Sequence, residues 1–293
     1  MLSKIRIHQI FYLVVSLFVV LTSQYHSSLK MSDINSSIFF LFLIIMSFGI
    51  SHGAADSIII WRAFTKFKLR VAVFLFYLLI VLLGLSLWFI SPGVGLLVLL
   101  LMSIFHFGVS DLLYLNSLSR NIKHVWGFVM TLLPVLFFEK EVKSIFDLLT
   151  NFDINIKLFL IMKLAIIFLI FCFLLYVLTS RNIKKIDKIF LIIEFLITIV
   201  LASFLKPLYW FTFYFCALHS LRGLINIGVQ SFKDFFFLIL FSLPVTLFSY
   251  FILSESLQIN YLNIIFSVLM ALTISHMLLP VTSRTVVHFF GKY

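Results

Sequence analysis

The chain has 293 residues, of which 63% are hydrophobic, 18% aromatic and 11% charged, with a formal net charge of +11. A soluble domain is roughly 45–50% apolar and about 25% charged, so this composition excludes a disulfide-stapled secreted scaffold, a disordered regulator and an ordinary cytosolic enzyme. It is the composition of a polytopic membrane protein. The positive charge does not point to nucleic acid, because the basic residues fall in short clusters between apolar runs and not on an Arg-rich face or tail.

A bilayer-spanning helix needs about 20 mainly apolar residues. Ten stretches meet that need: 8–23, 37–60, 70–90, 93–115, 122–138, 157–179, 187–205, 207–230, 234–253 and 260–281. The first follows Lys4 and Arg6, as a signal peptide would. Leu21-Thr22-Ser23-Gln24 offers no small-residue cleavage site, so an uncleaved helix is expected. With the N-terminus inside, the inner loops carry sixteen basic residues and the outer loops five, while Lys163 falls within a span. That bias predicts both termini in the cytoplasm. The longest connection, 139–156, then lies outside and holds Glu139, Glu141, Asp147 and Asp153. Cys172 and Cys216 sit within apolar runs without CxxC spacing and read as packing residues. The expected fold is all-α: a polytopic integral membrane bundle of about ten helices, one domain over 1–293, multi-pass in the inner cell membrane.

Ionisable groups inside a bilayer are costly, and each is a functional candidate. His52, His106, His219 and His276 fall within the second, fourth, eighth and tenth stretches, all running from outside to inside. Counted from the outer ends at a rise of 1.5 Å per residue, they share one layer about 18–24 Å deep. His8, His26, His124 and His288 fall at ends or loops. Four imidazoles at one depth without cysteine suit a first-row metal such as zinc, iron, copper or nickel; one buried histidine alone would more often be a packing residue. Asp56 follows His52 by four positions, on one helix face. Asp111 follows His106 by five, and Glu194 sits about eight residues into its helix near the same layer. These acids are candidates to accept the second ring N–H of ligating histidines; the alternative for Asp56 and Asp111 is a helix-end pairing with Arg62 and Arg120. Arg222 reads as a side chain that snorkels to the inner surface. Trp210 and Tyr214, four apart on one face, are candidates to flank a substrate channel or to anchor at the interface.

Four segments in order carry a family resemblance: His52-Gly-Ala-Ala-Asp56, His106-Phe-Gly-Val-Ser-Asp111, His219-Ser220 and Ser275-His276-Met277. They resemble the Brp/Blh family of membrane β-carotene 15,15′-dioxygenases, over about 37–281; 1–36, an N-terminal helix and loop, lie outside that core. The resemblance implies a histidine-held non-haem Fe(II) centre that uses O₂ to cleave β-carotene or a related carotenoid at its central double bond. Two molecules of retinal result, to be passed to a microbial rhodopsin. An apolar tunnel would set the 15,15′ bond over the metal. One position departs from the family: its third segment usually reads His-Ser-x-Arg-His, and Gly223 stands where the second histidine would be. The resemblance then implies His52, His106 and His219 as ligands, with either His276 or water completing the site, or else a member whose activity is lost or changed. Two other classes stay open, a catalytically silent carotenoid- or retinal-binding protein and a transporter with a midplane histidine site.

Overall fold

A computed structural model describes residues 2–26, 41, 44–45, 50–255 and 261–290, with side chains over 3–22, 41, 44–45, 53–243, 247 and 262–288. The helices in chain order are α1 (Leu2–His26), α2 (Ile50–Ala63), α3 (Phe67–Ile90), α4 (Pro92–Asp111), α5 (Arg120–Leu132), α6 (Pro134–Phe137) and α7 (Glu139–Thr150). There follow α8 (Ile156–Thr179), α9 (Lys185–Phe204), α10 (Pro207–Phe213), a π-helical turn (Tyr214–Ser220), α11 (Leu221–Ile227), α12 (Phe232–Glu255) and α13 (Tyr261–Phe290). No strand occurs among the described residues. In lipid this is the physical expectation, since a helix satisfies every backbone N–H and C=O internally.

A helix covers each of the ten expected stretches wholly or in part. Among the described residues, five helices are long and apolar enough to cross a membrane: Ser3–Thr22, Phe67–Ile90, Pro92–Asp111, Ile156–Thr179 and Leu262–His288. Their outward faces are apolar, as lipid contact requires; on α8, Leu160, Leu164, Ile167, Phe168 and Phe171 are all exposed. The chain is thus a helical membrane protein. Pro134 breaks the fifth stretch by opening α6, and Pro207 opens α10 at the start of the eighth, each at a first helical turn where the missing N–H is harmless. The connection expected as loop over 139–156 contains α7, which begins with Glu139 and Glu141 at the positive end of its dipole.

The chain forms two compact units. The first comprises Met1–Leu41, Ser103–Leu148 and Phe152–Asn226, the second Phe42–Met102, Leu149–Asn151 and Ile227–Tyr293. In the first, α1 packs on α9 and α5 on α8. Its centre is an aromatic cluster in which the Phe173 and Phe195 rings lie 4.4 Å apart and Trp126 lies 5.5 Å from Phe195. In the second, α3 packs along α13, and α2 against α12 and α13. Gly84 lets α3 approach closely, because a Cβ there would stand 3.0 Å from the Ala271 Cα. α12 starts with a reciprocal cap, in which the Asp234 amide donates to Ser231 Oγ and the Ser231 amide to Asp234 Oδ2. Arg62 pairs with Asp234 at 2.9 Å.

Candidate functional site

The first unit builds its polar centre on Asp111, the last residue of α4. A glycine pair sets that position. A Cβ on Gly108 would fall 1.6 Å from the Lys123 carbonyl oxygen, and one on Gly127 would fall 1.9 Å from that of Ile104. Only glycine at both places lets α4 and α5 cross backbone to backbone. The crossing brings the Trp126 indole to Asp111, where Nε1–H donates to Oδ2 at 3.2 Å.

The segment after Pro207 supplies the remaining donors. Tyr214 and His219 are five residues apart, which in an α-helix would turn them about 140° away from each other. The backbone here takes the wider i→i+5 turn, and both side chains reach the same carboxylate. Tyr214 Oη donates to Asp111 Oδ2 at 2.5 Å, and His219 Nδ1–H donates to Oδ1 at 2.7 Å. Asp111 and His219 are buried. The His106 ring lies 5.0 Å from that of His219, and Phe107 and Phe215 flank His219 at 4.5 and 5.7 Å.

One turn further on is a buried ion pair. Arg222 Nη1 and Nη2 donate to Glu194 Oε1 and Oε2 at 2.8 and 2.7 Å, with both side chains fully shielded from solvent. This two-pronged geometry is what a planar guanidinium offers a carboxylate. Arg222 Nη1 also donates to the Asp111 carbonyl at 3.3 Å, and Nη2 to His8 Nδ1 at 3.2 Å.

The second unit repeats the histidine–acid motif. His276 Nδ1–H donates to Asp56 Oδ1 at 2.6 Å, and the Tyr77 hydroxyl sits beside both Asp56 and Ser275. Pro280, four residues after His276 within α13, has no N–H to give to the His276 carbonyl. The expectation for His52 falls on a side chain outside the described residues; its backbone lies on α2, four residues before Asp56.

Several expectations are revised. Asp56 and Asp111 do not pair with Arg62 and Arg120 at helix ends; each accepts from a histidine of a distant helix. Glu194 holds Arg222, not a histidine, and Arg222 does not snorkel, because a carboxylate in the interior meets its charge. Trp210 and Tyr214 are both buried, with rings stacked at 5.2 Å, so neither anchors at an interface. Trp210 Nε1–H donates to the Thr198 carbonyl. His8 is not an end residue but a buried partner of Arg222. Ile5, His8, Gln9, Tyr12 and Ser16 are all buried and fall on one face of α1. That spacing was the available signal for His8.

Each histidine–acid pair, taken by itself, has the hydrogen-bond pattern of a ligating histidine. An imidazole whose Nδ1–H is held by a carboxylate keeps the lone pair on Nε2, the usual arrangement around ligating histidines. His219 with Asp111, and His276 with Asp56, both have it. Among the described residues no three His, Cys, Asp or Glu side chains form a metal-holding group by themselves.

Residues 43–281 match the family model for β-carotene 15,15′-dioxygenase. The chain belongs to this family. The β-carotene 15,15′-dioxygenase family region takes in every histidine and acid of the two motifs and begins after α1. The β-carotene 15,15′-dioxygenase of uncultured marine bacterium 66A03 is 31% identical over 193 residues, which is 61% of this chain and 65% of that relative. The match therefore spans a little under two thirds of the relative's length. No solved structure matches the chain.

Proposed function

We propose that this protein cleaves β-carotene, or a closely related carotenoid, with O₂ at the central 15,15′ double bond, within the inner cell membrane. The carbon–carbon double bond breaks, each new end takes one oxygen atom, and two molecules of retinal result. The observation that carries the reading is the buried His219–Asp111 pair, which lies inside a family match running over 43–281.

His52, His106 and His219 would hold an Fe(II) ion, with His276 as a fourth ligand in place of the histidine absent at Gly223. Bound iron supplies the activation of O₂. The remaining work belongs to the chain itself. Asp111 holds the Nδ1 proton of His219 and so keeps Nε2 available to a metal, and Asp56 does the same for His276. Phe107 and Phe215 offer apolar ring faces beside His219, suited to a polyene that carries no hydrogen-bonding group. Trp210 and Tyr214 extend that aromatic wall. Retinal would leave into the bilayer, where a rhodopsin apoprotein is its fitting acceptor.

Expression in bacteria that accumulate β-carotene, followed by chromatography for retinal, tests the reading. Retinal is expected from the native chain and none from His219→Ala. Gly223 favours one other reading, a carotenoid-binding protein without turnover. That reading gains if the native chain retains pigment and only Gly223→His yields retinal.

A further inference from the structure

We infer that His8, on a helix ahead of the family-matched region, is a positioning residue that braces the π-helical turn carrying His219. The inference rests on the proposed role of His219 as a metal ligand. A guanidinium can only donate hydrogen bonds, so the 3.2 Å contact with Arg222 Nη2 makes His8 Nδ1 the acceptor. The ring proton then sits on Nε2, which donates to the Ala217 carbonyl at 2.9 Å. Both ring nitrogens are engaged in the protein, and this defines a strut and not a ligand. The two contact points bracket His219: Ala217 is two residues before it and Arg222 three after. One rigid ring thereby ties both shoulders of the turn.

A π-helical turn is a rare backbone form, found mostly as single turns and frequently at functional sites. Outside hydrogen bonds help to fix it, and His8 supplies one to its backbone. α1 has further contacts that stabilise the helix away from the turn. Arg6 pairs with Asp187 on α9, Gln9 Nε2 donates to Tyr114 Oη at 2.9 Å, and Tyr12 bonds Thr198 at 3.0 Å. Through His8, a residue before 43, where the family match begins, contributes to the setting of His219.

The test uses the purified full-length protein in detergent with Co(II) as probe, because its visible bands report ligand geometry without turnover. His8→Leu is expected to weaken Co(II) binding roughly tenfold, as the loss of an outer support does at other metal sites, and to shift the bands. His8→Gln, whose amide can donate to Ala217 and accept from Arg222, is expected to restore the wild-type spectrum. Arg6→Gln removes the anchor to Asp187 without touching the turn; it should lower the unfolding temperature and leave the spectrum unchanged. If His8→Leu does not fold, His8→Asn takes its place, being too short to bridge both contacts. Wild-type affinity and bands in the His8 variant would overturn the inference. So would an Arg6→Gln protein showing the same loss, because helix stability alone would then account for it. Wild-type protein that binds no Co(II) would overturn the metal-ligand reading itself, and the role of His8 with it.

Discussion

Replacing Asp111 by asparagine separates the fold of the site from its chemistry. Asp111 accepts from His219 Nδ1–H on one oxygen and from Trp126 Nε1–H and Tyr214 Oη on the other. Asparagine keeps one acceptor and turns the other position into a donor. If the amide nitrogen faces Trp126, two donors oppose each other and a buried N–H is orphaned, at a cost of about 1–3 kcal/mol. If the amide rotates, its oxygen serves Trp126 and Tyr214 while its nitrogen meets His219 Nδ1. The imidazole must then move its proton to Nε2, the nitrogen needed by a metal. The second arrangement satisfies every group, so Asp111→Asn should unfold within about 1 kcal/mol of wild type and bind metal roughly 10–100-fold more weakly, about 1.4–2.7 kcal/mol. Adding Trp126→Phe removes the donor that forces the rotation, and the double variant should recover much of the affinity. Co(II) titration and thermal unfolding of the three proteins decide the matter. Wild-type affinity in Asp111→Asn, or no recovery in the double variant, would refute the tautomer argument.

Three further outcomes follow from the same contacts. Arg222→Met leaves Glu194 buried without its cation and should cost about 3–5 kcal/mol in denaturant unfolding, whereas Arg222→Met with Glu194→Leu should regain most of it; equal losses would show that the pair is not coupled. Gly127→Ala puts a Cβ 1.9 Å from the Ile104 carbonyl and should cost about 3 kcal/mol or more, with loss of the Trp126–Asp111 bond; tolerance of alanine would contradict the close crossing of α4 and α5. On α7, the hydrogen bond from Lys143, and then that from the Ile154 amide beyond the helix end, hold the Asp147 carboxyl below its usual range, while Asp147 and Asp153 push the Lys143 ammonium up. A lowered carboxyl stabilises above the unfolded value near pH 4 and is lost as pH falls through its folded value; a raised ammonium keeps its share until pH passes about 10.5. Protection of the Ile154 amide against hydrogen exchange should therefore be flat between about pH 5 and pH 9 and fall below about pH 4, and a steady change across neutral pH would contradict the assignment.

Much of this architecture was open to reading in the sequence, for reasons that differ by residue. Helices of membrane length follow from apolar run length, and Pro134 marks where one stretch breaks. α7 is short and amphipathic, so apolar run length does not reveal it. The acids Asp56 and Asp111 were visible, but spacing reveals only neighbours on the same helix. Asp56 takes its proton donor from His276, 220 residues away, and Asp111 from His219, 108 residues away. The π-helical turn has no sequence signature, and without it Tyr214 and His219 point in different directions. Arg222 reads in sequence as an interfacial cation near a span end, because its carboxylate, Glu194, stands on another helix. Beside His8, the charges of Lys4 and Arg6 suggest a helix end, although the buried stripe from Ile5 to Ser16 repeats at helical spacing.

The most direct test of the central claim is product stoichiometry with purified protein. Wild type reconstituted with Fe(II) should convert each β-carotene to two retinal molecules with uptake of one O₂, and His219→Ala, folded to the same unfolding temperature, should yield none. Shorter or longer apocarotenals in place of retinal, or undiminished retinal from His219→Ala, would contradict the account.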